Sequence, residues 1–426
     1  MDRRLWIGGL AAALATLVLA ACGGGPDRSK ANVRFVNASS GYAALDVYVD
    51  DRRRFEAVAY GGNAAYLELD PEEMATKVTR AGSTTPLVSL TPEVAKRRHY
   101  TLLAWGPEGS LAVAPLDDNT GEPDSGKALL RVFNAAKDAG ELDVYLTAET
   151  DPLVDAVALH AGSAVGSATG FATVDAGTWR LRVTGAGSKA DLRLDRGGLV
   201  LGSRAVVTLV VTPGAGGVLV NALQLVQEGG ITAQANTQAR VRVAAGMPDS
   251  GSVTASVGGQ LLMNGVGSPA VGSYQLVPSG EQLVGVSVDG VALASSTVTL
   301  APGTDQTLLV HRPAGVPAAS WIADDNRLPA ASGRAKLRLV HGVADLSGAL
   351  SMTADGLPVA SGLAAGAGSP YAELLPGTTI DLTVTAFGVP SPVWTATDRT
   401  LLSNQVYTVF VLGAPTAAAG VLRQDR

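Results

Sequence analysis

The chain of 426 residues contains a single cysteine, four histidines and few charged side chains. One cysteine excludes an internal disulfide and any zinc site built from several thiolates. Only 16% of the residues are charged, and a formal net charge of −6 leaves no basic excess to neutralise phosphates. Nucleic-acid binding is therefore not expected. Hydrophobic residues make up 46% of the sequence, which predicts packed globular domains rather than disorder.

The N-terminal residues have the pattern of an export signal. Arg3 and Arg4 precede an uncharged run of 17 apolar or small residues, Leu5 to Ala21. The run is slightly short for a membrane-spanning helix but suits the basic and apolar regions of a signal peptide. No second apolar run reaches about 18 residues, the length expected of a membrane span. The sequence therefore predicts export without a further membrane crossing.

The run ends in Leu19-Ala-Ala-Cys22, which resembles the lipobox of bacterial lipoproteins. The resemblance implies a signal peptide over 1–21, lipidation of Cys22 and a lipidated tether over 22–30. Buried acyl chains, at about 0.8 kcal/mol per CH₂, would hold the protein on a bilayer. Because no aspartate follows Cys22 directly, the resemblance implies the outer membrane of a Gram-negative cell envelope. An uncleaved N-terminal anchor is the alternative.

Internal repetition dominates the rest of the sequence. Each of four copies begins with an apolar segment around one arginine, has an aromatic residue near its middle, and ends with a segment containing Thr-Leu or Thr-Val. The arginines are Arg34, Arg131, Arg242 and Arg338, the aromatics are Tyr66, Phe171, Tyr274 and Tyr371, and the threonines are Thr101, Thr208, Thr307 and Thr408. The arginine spacings of 97, 111 and 96 residues give each copy the size of a small domain.

Apolar and polar residues alternate within these segments with the period of two that is typical of half-buried strands. In the first copy, Leu45, Val47 and Val49 are expected to face a core. Turn signals separate seven or eight such runs in ~90 residues, which favours an all-β fold of four tandem immunoglobulin-like antiparallel β-sandwich domains. The predicted domains, separated by polar stretches, are repeat 1 (31–118), repeat 2 (128–226), repeat 3 (239–325) and repeat 4 (335–426).

The first copy also resembles a known family. Its segments Val33–Ser39, Leu45–Asp50 and His99–Gly106 look like the DUF4397 family, a domain of unknown function. The second copy agrees well, whereas the third and fourth agree mainly at their first and last strands. The resemblance, which extends over 31–426, implies a secreted or surface-anchored bacterial protein with tandem β-sandwich units. It supplies no catalytic residues.

Motifs for catalysis, metal binding or cofactor binding are not found in the sequence. The histidines show no HExxH or other ligand spacing, and no serine lies in G-x-S-x-G. The four histidines are His99, His160, His311 and His341. The segment Gly185-Ala-Gly187-Ser-Lys-Ala190 resembles a dinucleotide fingerprint, but it lies between two predicted strands and is predicted to be a hairpin turn. We therefore expect no enzymatic activity, no metal and no cofactor.

Two acidic segments near the ends of repeats 1 and 3 have two interpretations. Asp117-Asp118-Asn119 and Asp324-Asp325-Asn326 offer carboxylate and carbonyl oxygens that Ca²⁺ prefers. Neither segment has the spacing of an EF-hand loop. They are either calcium sites between repeats or solvated carboxylates of the linkers.

The repeated arginines are expected to face away from each core or to blunt a sheet edge, because they alternate with apolar residues on a first strand. Asp46 and Asp143, which have the same outward parity on the next strand, are possible cross-strand partners. A contact to a ligand is the alternative role. Tyr48 and Tyr145 share that outward face, where they serve either packing or recognition.

Together these features predict a lipid-anchored, non-catalytic envelope protein that displays tandem β-sandwiches as a binding, adhesion or spacer surface. Its partner would be a membrane together with an envelope protein or polysaccharide. The alternative is a small-ligand-binding lipoprotein with a cleft between repeats. Four units in single file would reach on the order of 130 Å, whereas pairing of repeats 1 with 2 and 3 with 4 would shorten the molecule.

Overall fold

The computed structural model describes residues 29–346 and 348–426. The predicted signal peptide and Cys22 lie outside these residues. In the part described, the regular structure consists of β-strands and four single turns of 3₁₀ helix. These turns span Lys137–Ala139, Leu153–Asp155, Pro313–Gly315 and Pro415–Ala417.

Repeats 1 and 2 each contribute nine strands. The strands of repeat 1 are β1 (Ala31–Asn37), β2 (Ala44–Val49), β3 (Arg52–Ala59), β4 (Gly62–Asn63), β5 (Leu67–Leu69), β6 (Thr76–Arg80), β7 (Pro86–Leu90), β8 (His99–Trp105) and β9 (Ala112–Asp117). The strands of repeat 2 are β10 (Lys127–Asn134), β11 (Leu142–Thr147), β12 (His160–Ser163), β13 (Ala172–Asp175), β14 (Gly177–Gly185), β15 (Ser188–Leu201), β16 (Val206–Pro213), β17 (Val220–Val226) and β18 (Ile231–Gln234).

Repeats 3 and 4 follow the same order with small differences in number. The strands of repeat 3 are β19 (Gln238–Gly246), β20 (Ser252–Val257), β21 (Gln260–Gly267), β22 (Ala270–Val271), β23 (Gln275–Pro278), β24 (Gly280–Val288), β25 (Val291–Ala292), β26 (Ser296–Leu300), β27 (Asp305–His311) and β28 (Ala318–Asp324). The strands of repeat 4 are β29 (Ala335–Val343), β30 (Leu350–Ala354), β31 (Leu357–Leu363), β32 (Ala372–Leu374), β33 (Gly377–Ala386), β34 (Trp394–Leu401), β35 (Val406–Gly413) and β36 (Ala419–Gln424).

Each repeat is a sandwich of two sheets, which confirms the predicted fold class. In repeat 4, the sheets have the strand orders β32-β29-β35-β36 and β31-β30-β33-β34, and the other repeats share this arrangement with one or two added strands. The apolar residues that alternate along the strands meet between the two sheets. In repeat 1, the core between the sheets includes Val33, Phe35, Leu45, Val47 and Leu102, all fully buried.

One feature of the sheets differs from the antiparallel prediction. The first strand of each repeat pairs in parallel with the strand that carries the repeated threonine, so β1 pairs with β8, β10 with β16, β19 with β27 and β29 with β35. The other strand pairs of the four sandwiches are antiparallel. The parallel pairing arises because the chain crosses to the opposite sheet between these two strands.

The repeats pack in pairs rather than in single file. Outer-face residues of the β1 sheet and the β10 sheet form a second hydrophobic cluster, to which Val36 and Leu103 contribute from repeat 1 and Phe133 and Val210 from repeat 2. A corresponding cluster joins repeats 3 and 4. Each first strand is therefore buried on both faces.

The two pairs also contact each other. The amide of Gly216 in repeat 2 donates a hydrogen bond to the carbonyl of Gly303 in repeat 3 at 2.7 Å. Arg426, at the end of repeat 4, donates from Nη1 to the carbonyl of Gly217 at 2.6 Å. The loop between β16 and β17 thus connects the first pair to both members of the second.

Candidate functional site

The residues that recur in the sequence come together at the interfaces between repeats. The parallel register places each arginine directly opposite the threonine of the same repeat. In each copy the arginine Nε donates a hydrogen bond to the threonine hydroxyl. These Nε–Oγ1 distances are 2.8 Å for Arg34–Thr101, 2.9 Å for Arg131–Thr208, 2.8 Å for Arg242–Thr307 and 3.1 Å for Arg338–Thr408.

The recurring aromatic residue covers the same guanidinium in every copy. The guanidinium carbon lies 4.8 Å from the ring centroid for Arg34–Tyr66, 4.6 Å for Arg131–Phe171, 4.4 Å for Arg242–Tyr274 and 4.6 Å for Arg338–Tyr371. Such cation–π contacts strengthen when the charge is removed from water. We call each pair's set of two arginines with their threonines, rings and carboxylates an arginine cluster.

In the first arginine cluster one carboxylate serves two arginines. Asp118 accepts a hydrogen bond from Nη2 of Arg131 at 2.5 Å, and its other oxygen lies 3.8 Å from Nη2 of Arg34. The Tyr66 hydroxyl donates to the same carboxylate at 2.6 Å, and the Thr101 hydroxyl at 2.5 Å. Both oxygens of the buried carboxylate are thus engaged by side chains of repeats 1 and 2.

The second arginine cluster contains two carboxylates. Asp324 bonds to Arg338 and lies 3.6 Å from Arg242, while the Tyr274 hydroxyl donates to it at 2.6 Å. Asp425 binds Arg242 and accepts a hydrogen bond from the Thr408 hydroxyl at 2.5 Å.

Strand register explains the difference between the two clusters. The carboxylate follows by two residues the partner of the repeated threonine, which gives Asp118, Asp324 and Asp425 in three repeats. In repeat 2 the same position is Gln227. Its buried Oε1 accepts no hydrogen bond from the residues that the structure describes. Arg34 instead donates to the carbonyl of Val226 at 3.0 Å.

The two arginine clusters differ in net charge, because the first has one carboxylate for two arginines and the second has two. Burial lowers the pKa of Arg131, against the opposing effect of Asp118. Burial also acts on Asp324, but Arg338 and Arg242 outweigh it and hold the pKa of that carboxyl below its usual value. The first cluster therefore buries an excess positive charge, whereas the second is balanced.

The sequence-based expectation that the four arginines face solvent or blunt a sheet edge is wrong. They point away from their own core, in agreement with the alternation, but only 1% to 5% of each is exposed because the partner repeat covers that face. They also do not pair with Asp46 or Asp143, which prove to be backbone acceptors. Asp46 accepts from the amides of Ala57 at 2.6 Å and Gly82 at 3.0 Å.

This backbone contact recurs even where the aspartate is replaced. Asp143 accepts from the amides of Gly162 at 2.8 Å and Gly187 at 2.9 Å. Gly187 lies in the hairpin between β14 and β15, so the glycine-rich segment 185–190 forms a turn. At the equivalent position of repeat 3, the Thr254 hydroxyl accepts from the amide of Gly265 at 2.9 Å. Repeat 4 uses Ser351 in the same way.

The acidic segments considered for calcium are bound by basic side chains. Besides Asp118 and Asp324, Asp117 pairs with Arg98 at 3.0 Å. Burial opposes ionisation of Asp325, but Arg327 and Lys336 hold its pKa at about 2. Across residues 29–346 and 348–426, no group of three or more His, Cys, Asp or Glu side chains is placed to hold a metal ion.

The remaining predicted residues are dispersed. His99 packs edge-on against Tyr66 at a centroid distance of 5.1 Å, and His160 lies 3.3 Å from the Leu130 carbonyl. His341 is buried, and burial lowers its pKa to about 4. Tyr145 is buried beside Asp143, whereas Tyr48 is half-buried. The lipidation prediction for Cys22 concerns a residue outside the described part.

Two cavities could hold a ligand, and only the first lies between repeats, where the sequence-based alternative put a cleft. One, of about 310 Å³, lies between repeats and is lined by side chains of both charges, including Glu108, Lys137, Asp138, Arg327, Lys336 and Glu373. The other, of about 390 Å³, lies on repeat 2 and is lined by residues 146–148, 151–152, 155–157 and 179. The long segment between the second and third strands of repeat 2 was the available signal for the latter. We call this second cavity the Trp179 cleft.

No helix of the described residues is long and apolar enough to cross a membrane. Comparison with known families matches residues 31–145 and 239–347 to "Domain of unknown function (DUF4397)", which together exceed half of the chain. No curated protein matches the sequence.

Three solved structures show a weak likeness. A candidate cell adhesion protein from Bacteroides fragilis is 11% identical, with 43% of this chain and 97% of that chain covered and a TM-score of 0.14. A family 26 carbohydrate-binding module from Eubacterium rectale, solved with maltoheptaose, is 10% identical over 47% and 97%, with a TM-score of 0.16. The Bacillus anthracis TIE protein is 9% identical over 86% and 65%, with a TM-score of 0.16.

Proposed function

The chain belongs to the DUF4397 family, and on this premise we propose that it is a lipid-anchored protein of the bacterial cell envelope. In this proposal the protein is not an enzyme. Its two pairs of β-sandwiches form a binding or adhesion surface for an envelope polysaccharide or protein. The outer membrane of a Gram-negative cell is the proposed location, and Cys22 is the proposed site of acylation.

The pairing of the sandwiches is the observation that carries this proposal. Buried arginine clusters and apolar contacts join the repeats through whole sheet faces, so the loops of one repeat keep a fixed position relative to those of the next. A binding surface made of several loops needs such a scaffold, because ordering mobile loops on binding would weaken affinity. The proposed tether 22–30 would place this scaffold near the membrane.

The anchor is tested by metabolic labelling with an alkyne fatty acid and by membrane fractionation. We expect the wild-type chain to carry the label and to sediment with outer membranes, and the Cys22→Ser variant to lose both properties. A Ser29→Ala variant serves as a matched control in the same N-terminal region. Membrane association of unlabelled Cys22→Ser protein would contradict the anchor.

The binding role is tested by retention of fractionated envelope polysaccharide and protein on the purified mature chain. Saturable retention of one fraction is expected. Equal retention by heat-unfolded protein, or none by the folded chain, would contradict the role.

The cavity between repeats favours a second candidate function, the capture of a small polar ligand. The segment that bounds it is well held: Leu328 donates its amide to Asp138 at 3.0 Å, and Ala330 donates its amide to Glu373 at 2.7 Å. Lys336 donates to the carbonyl of Arg327 at 2.9 Å. A small molecule that copurifies in native mass spectrometry, and is lost in Lys137→Ala, would favour this candidate.

A further inference from the structure

Repeat 2 differs from the other three repeats in one loop. Two-residue turns join the second and third strands in repeats 1, 3 and 4, and both turn residues have positive φ, as tight hairpins require. The turns are Asp50-Asp51, Gly258-Gly259 and Asp355-Gly356. In repeat 2, twelve residues, 148–159, join β11 to β12. The sandwich does not need this segment, since three copies close without it.

The long loop has a fixed conformation. The guanidinium of Arg180 donates to the carbonyl of Glu149 at 2.9 Å, and Nζ of Lys189 donates to the carbonyl of Val154 at 2.6 Å. A turn of 3₁₀ helix, Leu153–Asp155, forms its centre. Side chains of the neighbouring strands β14 and β15 thus hold the loop in place, and the loop forms one wall of the Trp179 cleft.

The lining of the cleft is amphipathic. The Trp179 ring, Leu146 and Val157 supply apolar surface, and Val157 is 87% exposed although it lies in a well-held loop. A volume of about 390 Å³ lies within the range of small-molecule sites, roughly 300–1,000 Å³. A half-buried indole ring suits stacking against an apolar ligand face.

Two carboxylates complete the lining. Asp151 and Asp155 are exposed, and neither forms a side-chain hydrogen bond or ion pair with any residue that the structure describes. The cations next to the loop, Arg180 and Lys189, bind its carbonyls, and Arg180 also pairs with Asp195 at 2.6 Å. Neither cation is therefore paired with Asp151 or Asp155, and the free carboxylate oxygens of these two residues are acceptors for hydroxyl donors.

We propose that the Trp179 cleft is a saccharide-binding site, which would make a neutral sugar chain the partner of repeat 2. A pyranose ring has a C–H face that matches the indole and hydroxyl groups around its rim that match Asp151 and Asp155. A cleft open to solvent accommodates one or two units of a longer chain. This inference rests on the proposed binding function and names its ligand class.

The test uses the full mature chain and a panel of neutral hexasaccharides built from glucose, galactose, mannose or N-acetylglucosamine. Binding is followed by Trp fluorescence and by isothermal titration. We expect saturable binding of at least one saccharide. The double variant Asp151→Asn/Asp155→Asn should bind about tenfold more weakly or worse, since hydrogen bonds to charged groups contribute roughly that much.

Two further variants separate loss of binding from loss of folding. Trp179→Ala should abolish binding, but the ring also packs on the core of repeat 2, so its thermal unfolding is recorded in parallel. Glu281→Gln removes an exposed carboxylate of repeat 3 and should leave affinity unchanged. Tetramethylammonium is included as a cationic probe for the same ring and carboxylates.

Three outcomes would overturn the inference: no saturable binding of any saccharide at millimolar concentration, equal affinity of the double variant, or binding of tetramethylammonium alone. If these occur while Cys22 is still acylated and an envelope fraction is still retained, the saccharide site fails and the proposed function stands. If retention of every envelope fraction is lost as well, both fail.

Discussion

Loss of the Asp118 carboxylate should destabilise the first pair of repeats more than loss of Asp324 destabilises the second. In Asp118→Asn, both Arg34 and Arg131 lose the one carboxylate that they share. In Asp324→Asn, Arg242 keeps its ion pair with Asp425. The two substitutions are the same chemical change at equivalent positions, so they form a matched comparison.

The magnitude follows from burial. The Asp118 side chain is 3% exposed, and its arginine partners are 2% and 6% exposed. Removing one partner of a buried pair costs roughly 3–5 kcal/mol because an uncompensated charge stays behind. We expect Asp118→Asn to lie near the upper end, about 5 kcal/mol, and Asp324→Asn near the lower end, about 3 kcal/mol.

Gln227 provides a rescue. Because it occupies the carboxylate position of repeat 2, Gln227→Asp in the Asp118→Asn background returns one negative charge to the cluster. The rescue should recover about 2 kcal/mol, the contribution of a charge-assisted hydrogen bond. Conversely, Asp425→Gln should leave the second arginine cluster with two arginines and one carboxylate, as in the first cluster.

Hydrogen exchange measured by mass spectrometry is the appropriate assay, because a chain of several sandwiches need not unfold in two states. Peptides from β1 and β10 report on the first pair, and peptides from β19 and β29 report on the second. The reasoning is refuted if the two Asn variants lower protection equally. It is also refuted if Gln227→Asp leaves the Asp118→Asn variant unchanged.

Two further predictions concern a buried histidine of repeat 4 and the interfaces between repeats. Folded His341, with its pKa lowered to about 4, stays neutral while the unfolded chain takes up a proton below about 6.5. The free energy of unfolding should therefore be unaffected by this group above pH 6.5 and should fall by up to about 3 kcal/mol as the pH drops towards 4. The measurement is the urea midpoint as a function of pH, and His341→Gln should reduce its decrease at low pH. Phe133→Ala removes a fully buried ring that packs edge-on against Trp105 at 5.8 Å, and it should cost about 3–5 kcal/mol and shift Trp fluorescence to the red. The same loss should follow from Phe410→Ala in the second pair, and an unshifted spectrum with unchanged stability in either variant would contradict the interface.

Much of the fold was accessible from the sequence. The alternation of Leu45, Val47 and Val49 correctly placed these residues in a core, because a strand with one apolar side has a single way to bury it. The all-β class and the repetition follow from such local signals. The parallel pairing of β1 with β8 could not be predicted, because pairing between distant segments produces no recognisable pattern in the sequence of either segment.

The candidate sites were less accessible. The alternation of apolar and polar residues correctly put Arg34 on the outer face of its sheet. Whether that face is exposed to solvent or covered by another repeat depends on how complete sandwiches associate. The sequence offered Asp117 and Asp118 as an acidic pair, and only the strand register separates the buried Asp118 from the exposed Asp117. The Trp179 cleft joins residues of a loop and a strand that are about thirty positions apart.

The parallel pairing also affects the order in which the chain can fold as it leaves the ribosome. The first strand of each repeat finds its central neighbour only 65 to 77 residues later. Until then an apolar strand that ends up buried on both faces has one unpaired edge, which favours aggregation. Pairings of such long sequence separation also form slowly. Each half of this protein is therefore expected to need protection by a chaperone until its last strands have been synthesised, and the second repeat must be complete before the first is fully covered.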